Sequence, residues 1–185
     1  MTVYALISLQ GVFLALFFII LGYIIFILFS FRDIVPYVPT PRIIIRQMVN
    51  MAEIKSGEKI VDLGSGTGRI IIEVAKKHKK NLVIGVEKSF TLRTVTKLRL
   101  LFHPMLRTRI QVINHDFFNL ELQSFNVVFC FLTPEAMRIL TPKFKQLRKN
   151  SRLISYMFHL EEYQGFTETM EHVTTKDSIY LYKKV

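Results

Sequence analysis

The chain opens with an unbroken apolar run, and apolar and polar positions begin to alternate only after it. Residues 1–31 contain no charged side chain. A helix needs about 20 apolar residues to cross a bilayer, so this run predicts one N-terminal transmembrane helix. A cleaved signal peptide is disfavoured, because no basic residue precedes the run and no small-residue cleavage site follows it.

The segment 32–41 differs in character, with three prolines among its ten residues. Proline restricts the backbone, so a stiff proline-rich linker is predicted here. Thr40 is expected to cap a helix that has Pro41 at its first position and runs to about Ile54. A single domain is then predicted over residues 42–185.

Within that domain, short apolar runs alternate with helical patterns, which is typical of a parallel sheet with helices between its strands. The last helix before the fifth strand is expected to be interrupted at Pro142. In the helix after the second strand, apolar positions recur at helical spacing: Leu92, Val95, Leu98, Leu101 and Phe102. Buried strands are predicted at 60–63, 82–87, 110–113, 126–132 and 153–158, with no large helix after the fifth and a closing antiparallel hairpin at 171–174 and 179–182.

Candidate chemistry begins where the first strand ends. Three glycines alternate there, at Gly64, Gly66 and Gly68, and Asp62 precedes them on the strand. A strand, glycine loop and helix in this order bring backbone against a nucleotide-like ligand. The dinucleotide fingerprint places its last glycine one residue later. The Gly-x-Gly-x-Gly spacing instead looks like motif I of S-adenosylmethionine-dependent methyltransferases, with Ser65 inside the loop.

Two further acids follow later strands. Glu87 ends the second strand and can accept protons from both hydroxyls of a ribose. Asp116 follows the third strand and can accept a proton from an adenine amino group, while Phe117 can cover the ring face. The alternatives are an ordinary glycine turn with a surface Glu87, and a turn Asp116 beside core phenylalanines.

Charge and cysteine content bear on the location of the protein and on its partners. The entire net charge of +11 lies on residues 32–185, and Arg32, Arg42 and Arg46 follow the apolar run. The positive-inside rule predicts a single-pass membrane protein with its catalytic domain on the cytoplasmic side. The lysines of residues 76–80 are interpreted as a solvated helix end, so no nucleic-acid partner is predicted. Cys130 is the only cysteine, and no metal site is predicted.

Several segments resemble the small membrane-anchored protein-lysine methyltransferases whose mitochondrial members modify the ATP synthase c-subunit and the adenine nucleotide translocase. The resemblance implies an α/β, Rossmann-like seven-strand fold, mostly parallel with a compact C-terminal end, after one transmembrane helix. It also implies S-adenosylmethionine as cofactor, with Pro39 and Thr40 folded over its amino-acid end. The segments that carry the resemblance are residues 35–41, 61–69, 85–87, 116–118 and 131–134.

Three functions remain open from the sequence. The first is methylation of a lysine in an integral membrane protein. The second is methylation of a lipid or another small apolar molecule, and the third is a non-catalytic cofactor fold that binds a partner. No Asn/Asp-Pro-Pro-Tyr motif follows the fourth strand, where Phe131-Leu132-Thr133-Pro134 stands instead. The target amine is expected near Tyr37, Thr133 and Asp116.

Overall fold

The computed structural model describes residues 2–30, 37–173 and 177–185, and it divides into two units, Met1–Tyr37 and Val38–Val185. The first unit contains the helix α1, Thr2–Ser30, in which the side chains of residues 10–25 are described. Across the described part of the chain, no helix has both the length and the apolar character needed to cross a membrane. Residue 31 of the apolar run and residues 32–36 of the predicted linker lie outside the described residues.

The second unit is built on one seven-stranded sheet with strand order β3-β2-β1-β4-β5-β7-β6. Strands β1 to β5 are parallel, β7 pairs antiparallel with β5, and β6 pairs antiparallel with β7. The predicted mixed, mostly parallel seven-strand sheet is therefore confirmed. Its elements are α2 Arg42–Met51, β1 Lys59–Leu63, α3 Arg69–Lys77, β2 Leu82–Val86, α4 Phe90–Leu101, α5 Pro104–Arg107, β3 Ile110–Ile113, a 3-10 turn Phe117–Asn119, β4 Val127–Cys130, α6 Pro134–Lys145, β5 Arg152–Tyr156, β6 Phe166–His172 and β7 Ser178–Lys184.

The connections explain how the core is closed. The crossovers from β1 to β2 and from β2 to β3 step in one direction along the sheet, and the crossover from β4 to β5 steps in the other. Right-handed crossovers therefore place α3 and α4 on one face of the sheet and α6 on the opposite face. The central strands β1 and β4 are buried along nearly their whole length, and all their side chains except Lys59 and Asp62 are apolar, as is typical of parallel strands covered on both faces.

The start of α2 differs from the prediction. Pro41, not Thr40, is the N-cap, and no side chain caps the helix. Pro41 has an extended backbone, and its carbonyl accepts the first helical bond from the Ile45 amide at 3.1 Å. The helix ends at Met51 rather than near Ile54, because Glu53 adopts a positive φ of 44°.

Two predictions about the C-terminal half also need correction. Pro142 does not interrupt α6, which is continuous and buries four apolar side chains along one side. In an uninterrupted helix the amide at position 142 would donate to the carbonyl of Arg138. Arg138 is exposed, so water can satisfy that carbonyl instead.

The hairpin strands are longer than predicted, because β6 is an edge strand whose side chains after Phe166 are exposed and show no apolar period. Residues 174–176 of its turn lie outside the described residues, whereas residues 157–165 contain no helix, as predicted.

Candidate functional site

The glycine loop lies where the sheet changes direction. β1 is flanked by β2 and β4, whose crossovers leave in opposite directions, so a crevice opens beyond the end of β1. The amides of Gly64 and Ser65 both donate to the Val86 carbonyl, at 3.0 and 2.9 Å, which ties the loop to the end of β2. Gly64, Gly66 and Gly68 all have positive φ, of 71°, 53° and 74°. The loop conformation therefore depends on glycine at these positions.

The helix α4 holds the other side of the loop. A Cβ added to Gly68 would lie only 2.5 Å from Thr96 Cγ2, so the backbone needs glycine there to approach α4. Thr96 Oγ1 lies 2.9 Å from the Gly66 carbonyl oxygen, and Arg99 Nη1 donates to the Thr67 carbonyl at 2.6 Å. Neither of these two side chains was predicted from the sequence as part of the site. Thr96 lies one helical turn from both Leu92 and Leu100, and a polar residue on that buried side could have indicated its role.

Glu87 is nearly buried and is fixed by two backbone amides. Its Oε2 accepts from the Gly66 amide and its Oε1 from the Ser89 amide, both at 2.8 Å. Arg93 donates to the backbone carbonyl of Glu87 at 3.0 Å, so the end of β2 is also held from α4. A carboxylate has about four acceptor positions. The two that these amides leave can accept from a pair of ligand hydroxyls, such as those of a ribose.

Asp62 and Ser65 give the crevice buried polarity. Asp62 lies in β1, and burial, with a smaller contribution from the charge of Glu87, raises the pKa of its carboxyl well above its usual value. Ser65 Oγ is buried and, among the described residues, has no hydrogen-bond partner. Buried polar atoms are usually satisfied, so the lone hydroxyl and the uncompensated carboxyl fit a polar ligand that carries positive charge.

The ends of three strands meet at Gly64. A Cβ added there would lie 3.7 Å from Phe117 Cε1, on the segment after β3, and 3.5 Å from Leu132 Cδ2, just after β4. Asp116 caps the turn that carries Phe117, because its Oδ1 accepts from the Phe118 amide at 3.0 Å. Its Oδ2 lies 4.0 Å from Lys88 Nζ. The predicted ring-covering Phe117 is thus brought to the start of the glycine loop.

The remaining predicted site residues have mixed placements. Thr133 follows Leu132 and caps α6, with Oγ1 accepting from the Ala136 amide at 3.3 Å. Thr40 is buried, and its carbonyl accepts from Arg69 Nη1 at 3.1 Å, which brings the segment before α2 to the residue that follows the glycine loop. Pro39 beside it is exposed. Tyr37 belongs to the first unit, so its predicted catalytic role stays a prediction.

The described part of the chain contains neither a group of metal ligands nor a reactive thiol. Within residues 2–30, 37–173 and 177–185, no three His, Cys, Asp or Glu side chains are grouped to hold a metal ion. Cys130 is fully buried in β4, and burial raises the pKa of its thiol to about 12. A thiol with that pKa is a poor nucleophile. The polar crevice at the glycine loop is therefore the candidate site.

Comparisons with known proteins agree with this geometry. The ANTKMT methyltransferase domain matches residues 62–166. A protein-lysine N-methyltransferase of Saccharolobus islandicus (strain REY15A) is 32% identical over 132 residues, covering 71% of this chain and 81% of that protein. A Caenorhabditis elegans lysine N-methyltransferase of the ATP synthase c-subunit is 26% identical over 164 residues, covering 83% and 82%. The solved structure of an RNA methyltransferase from Salinibacter ruber in complex with S-adenosyl-L-homocysteine shares the fold, with a TM-score of 0.71 and 24% identity over 80% of this chain and 94% of that one.

Proposed function

Because the chain belongs to the family of ANTKMT methyltransferase domains, we propose that it methylates the side-chain amine of a lysine in a protein. Membership confirms the enzyme class and the cofactor predicted from the sequence, an S-adenosylmethionine-dependent methyltransferase. The observation that carries the lysine proposal is the 32% identity to a protein-lysine N-methyltransferase over most of both chains.

The residues of the crevice fit the parts of this cofactor. Glu87 offers its two remaining acceptor positions to the ribose, and Asp116 and Phe117 serve the adenine edge and face. A cationic ligand end beside Asp62 would oppose the effect of burial and favour the ionised carboxylate, since no cation contributes to the pKa of that carboxyl in the described structure. Ser65 adds a hydroxyl beside the loop. When bound, S-adenosylmethionine supplies a methyl group on a sulfonium, which is already a good leaving group.

The chain then has to position a neutral amine and exclude water. A lysine amine that enters the crevice loses its proton to solvent before transfer, and desolvation beside Leu132 and Phe117 favours that neutral form. When bound, the cofactor would supply the methyl group to the amine nitrogen, and its sulfur would keep the electron pair of the carbon–sulfur bond. We place the incoming amine near Thr133 and Asp116, and the role expected of Tyr37 from the sequence stays a prediction.

The proposed location is a membrane, with a membrane protein as substrate. Residues 1–31 are uncharged and apolar, and the net charge of +11 lies entirely on the residues that follow. One Lys or Arg at the centre of a spanning helix would cost about 2.5–3.5 kcal/mol, and the run has none. We propose that this run anchors the protein in a single pass, with the catalytic domain on the cytoplasmic side. An anchored site encounters membrane proteins at a high effective concentration.

Transfer of a tritiated methyl group from S-adenosylmethionine to membranes tests the reaction. Label in protein bands, released as methyl-lysine after acid hydrolysis, supports the proposal. Label in the organic extract would instead indicate a lipid or another small apolar acceptor. No label with wild-type protein that binds the cofactor would indicate a non-catalytic role. Glu87→Ala is the inactive control, and the exposed Glu121→Ala is its matched variant, expected to transfer methyl like the wild type.

The anchor has its own experiment. Extraction of membranes at alkaline pH should leave the full-length protein in the pellet. Deletion of residues 1–31 should preserve cofactor affinity, because every strand and the glycine loop belong to the second unit. The deletion should strongly reduce methylation of a target embedded in membranes and spare a detergent-solubilised target in excess. Equal rates on the embedded target with and without residues 1–31 would contradict the proposed role of the anchor.

A further inference from the structure

The outward side of α4 and α5 exposes large apolar side chains. Phe102 and Met105 are 82% and 84% exposed, which is unusual for side chains of their size. Single exposed apolar residues are normal, whereas contiguous ones mark interaction sites. We call this surface the α4–α5 face, and it consists of Phe90, Leu98, Leu101, Phe102 and Met105.

These side chains lie on one side of the helix. In α4 the buried positions are Leu92, Arg93, Thr96 and Leu100. At about 100° per residue, Leu98 points opposite the centre of that buried side. Phe90, Leu101 and Phe102 fall within about 80° of Leu98 by the same geometry. The face therefore runs the length of α4 and continues onto Met105 in α5.

The charged side chains of the segment that forms this face are all basic. Residues 88–109 contain six Lys and Arg side chains and no Asp or Glu. Lys97 and Arg107 are exposed on α4 and α5. Arg109 donates to the carbonyls of Ala75 and His78, at 2.8 and 3.1 Å, which brings the exposed lysines of residues 76–80 to the same end of the helix pair. An apolar strip is thus bordered by cations.

We propose that the α4–α5 face docks into the interfacial region of an anionic lipid bilayer. Apolar side chains bordered by Lys and Arg are the arrangement of helices that lie in the membrane interface. In this position Phe102 and Met105 enter the boundary between headgroups and acyl chains, and Lys97 and Arg107 contact lipid phosphates. Basic side chains near an anionic leaflet strengthen such contacts.

A second copy of the chain fits this face less well. A two-fold contact sets the same surface of two copies against each other. The cations Lys97 and Arg107 of both copies would then lie in one interface and repel each other. Residues 88–109 offer no carboxylate to pair with them. An anionic bilayer supplies the opposite charge at every position along the face.

Docking has a consequence for the site. Phe90 begins α4 one residue after Ser89, whose amide holds Glu87. The candidate crevice therefore opens at the Phe90 end of the docked surface. The α4–α5 face is formed by α4 and α5 alone. Its docking on a bilayer therefore requires neither a lysine as the methyl acceptor nor residues 1–31 as an anchor.

The test measures the depth of a label on the full-length protein. Phe102→Cys carries a nitroxide, and Arg138→Cys, an exposed position of α6 on the opposite face of the sheet, is the matched control. Cys130 stays in place, because it is buried and unreactive. Each protein is reconstituted into vesicles of phosphatidylcholine alone or with 30% phosphatidylserine, and the collision rates of the label with oxygen and with a water-soluble nickel chelate are compared. Unchanged cofactor binding confirms that each variant is folded.

With phosphatidylserine present, the label at position 102 should become several-fold more accessible to oxygen than to the nickel chelate, and the label at position 138 should stay aqueous. Charge reversal by Lys97→Glu with Arg107→Glu should abolish the difference at position 102. An aqueous label at position 102 in anionic vesicles overturns the proposal. Dipolar coupling between labels at position 102 of two copies also overturns it, in favour of a self-association surface. Because the readout is depth rather than membrane retention, it is independent of whether residues 1–31 anchor the chain.

Discussion

The neighbouring helices α3 and α4 lie on the same face of the sheet and have opposite arrangements of polar and apolar side chains. In α3 the buried positions are all apolar, including Ile71 and Val74. In α4 the buried positions include the polar side chains Arg93 and Thr96, while Leu98 and Phe102 are exposed. Thus α3, which packs on the core, buries only apolar side chains. In contrast, α4, which holds the glycine loop, buries polar side chains and exposes apolar ones.

Hydrogen bonds account for the difference. The inner side of α4 meets backbone carbonyls at the glycine loop and at the end of β2, and these carbonyls require donors. Arg93 and Thr96 supply them, and both are buried with partners. A buried carbonyl without a partner costs about 1–3 kcal/mol. Polarity on the inner side of α4 therefore serves the site, whereas the inner side of α3 contributes mainly hydrophobic stability.

The largest difference between the two helices is expected when the same charge is placed on each of them. Val74→Asp should remove most of the folding free energy, because an unpaired buried charge costs about 3–5 kcal/mol and domains have only about 5–15. Leu98→Asp should change it by at most about 0.5 kcal/mol, since Leu98 is exposed. Urea unfolding in detergent, followed by near-ultraviolet circular dichroism, measures both. Equal losses would show that α4 packs on its outer side as well.

Glu87 joins the glycine loop to the start of α4. Glu87→Ala should leave the amides of Gly66 and Ser89 unpaired, at about 1–3 kcal/mol each, and should abolish measurable S-adenosylmethionine binding. Gly66→Val should also lose binding, because a branched side chain is strained at φ 53°. Titration calorimetry gives the affinities, and circular dichroism checks the fold. Wild-type affinity in either variant would contradict the site, and tight binding of a nicotinamide dinucleotide would indicate the other cofactor class.

Two threonines of α4 allow a matched test of its inner side. Thr96→Val keeps the side-chain volume but removes the hydroxyl that lies 2.9 Å from the Gly66 carbonyl. Cofactor affinity should fall about 5- to 10-fold, corresponding to about 1 kcal/mol for one hydrogen bond. Thr94→Val removes a hydroxyl that bonds within the helix, to the Phe90 carbonyl at 2.9 Å. That variant should bind the cofactor like the wild type, and an equal loss in both would mean that helix stability, not the loop contact, controls affinity.

Asp62, in the strand before the glycine loop, should make the stability of the domain depend on pH. The unfolded carboxyl ionises near its usual pKa of 3.8, whereas the folded one has a pKa raised by burial. The folded state therefore binds more protons between the two values, so the unfolding free energy of the wild type falls as pH rises through that window and levels off above it. Asp62→Asn should remove this decline, be more stable than the wild type at neutral pH, and bind the cationic cofactor more weakly. Urea unfolding between pH 4.5 and 8 measures the slope, with Glu161→Gln as the exposed control, and an unchanged slope would contradict a raised pKa of the buried carboxyl.

Periodicity and glycine spacing were sufficient to predict the order of the five parallel strands and of the helices α2, α3, α4 and α6, but not the short α5. The parallel strands, the glycine loop and Glu87 after β2 are local patterns, because each depends on a few neighbouring residues. The cap that Thr133 forms for α6 is equally local, since it joins residues three positions apart. The length of β6 was not predictable, since an edge strand with exposed side chains has no apolar period.

The fold class, the cofactor and the residues at the strand ends follow from local patterns in the sequence. The direction in which α4 turns its sides needed the folded structure, because apolar spacing shows a helix but not what it packs against. Likewise, the contacts of Thr96 and Arg99 with the glycine loop join residues about thirty positions apart. No local pattern encodes such pairs, since they exist only once the crossover between β2 and β3 has set α4 beside the loop.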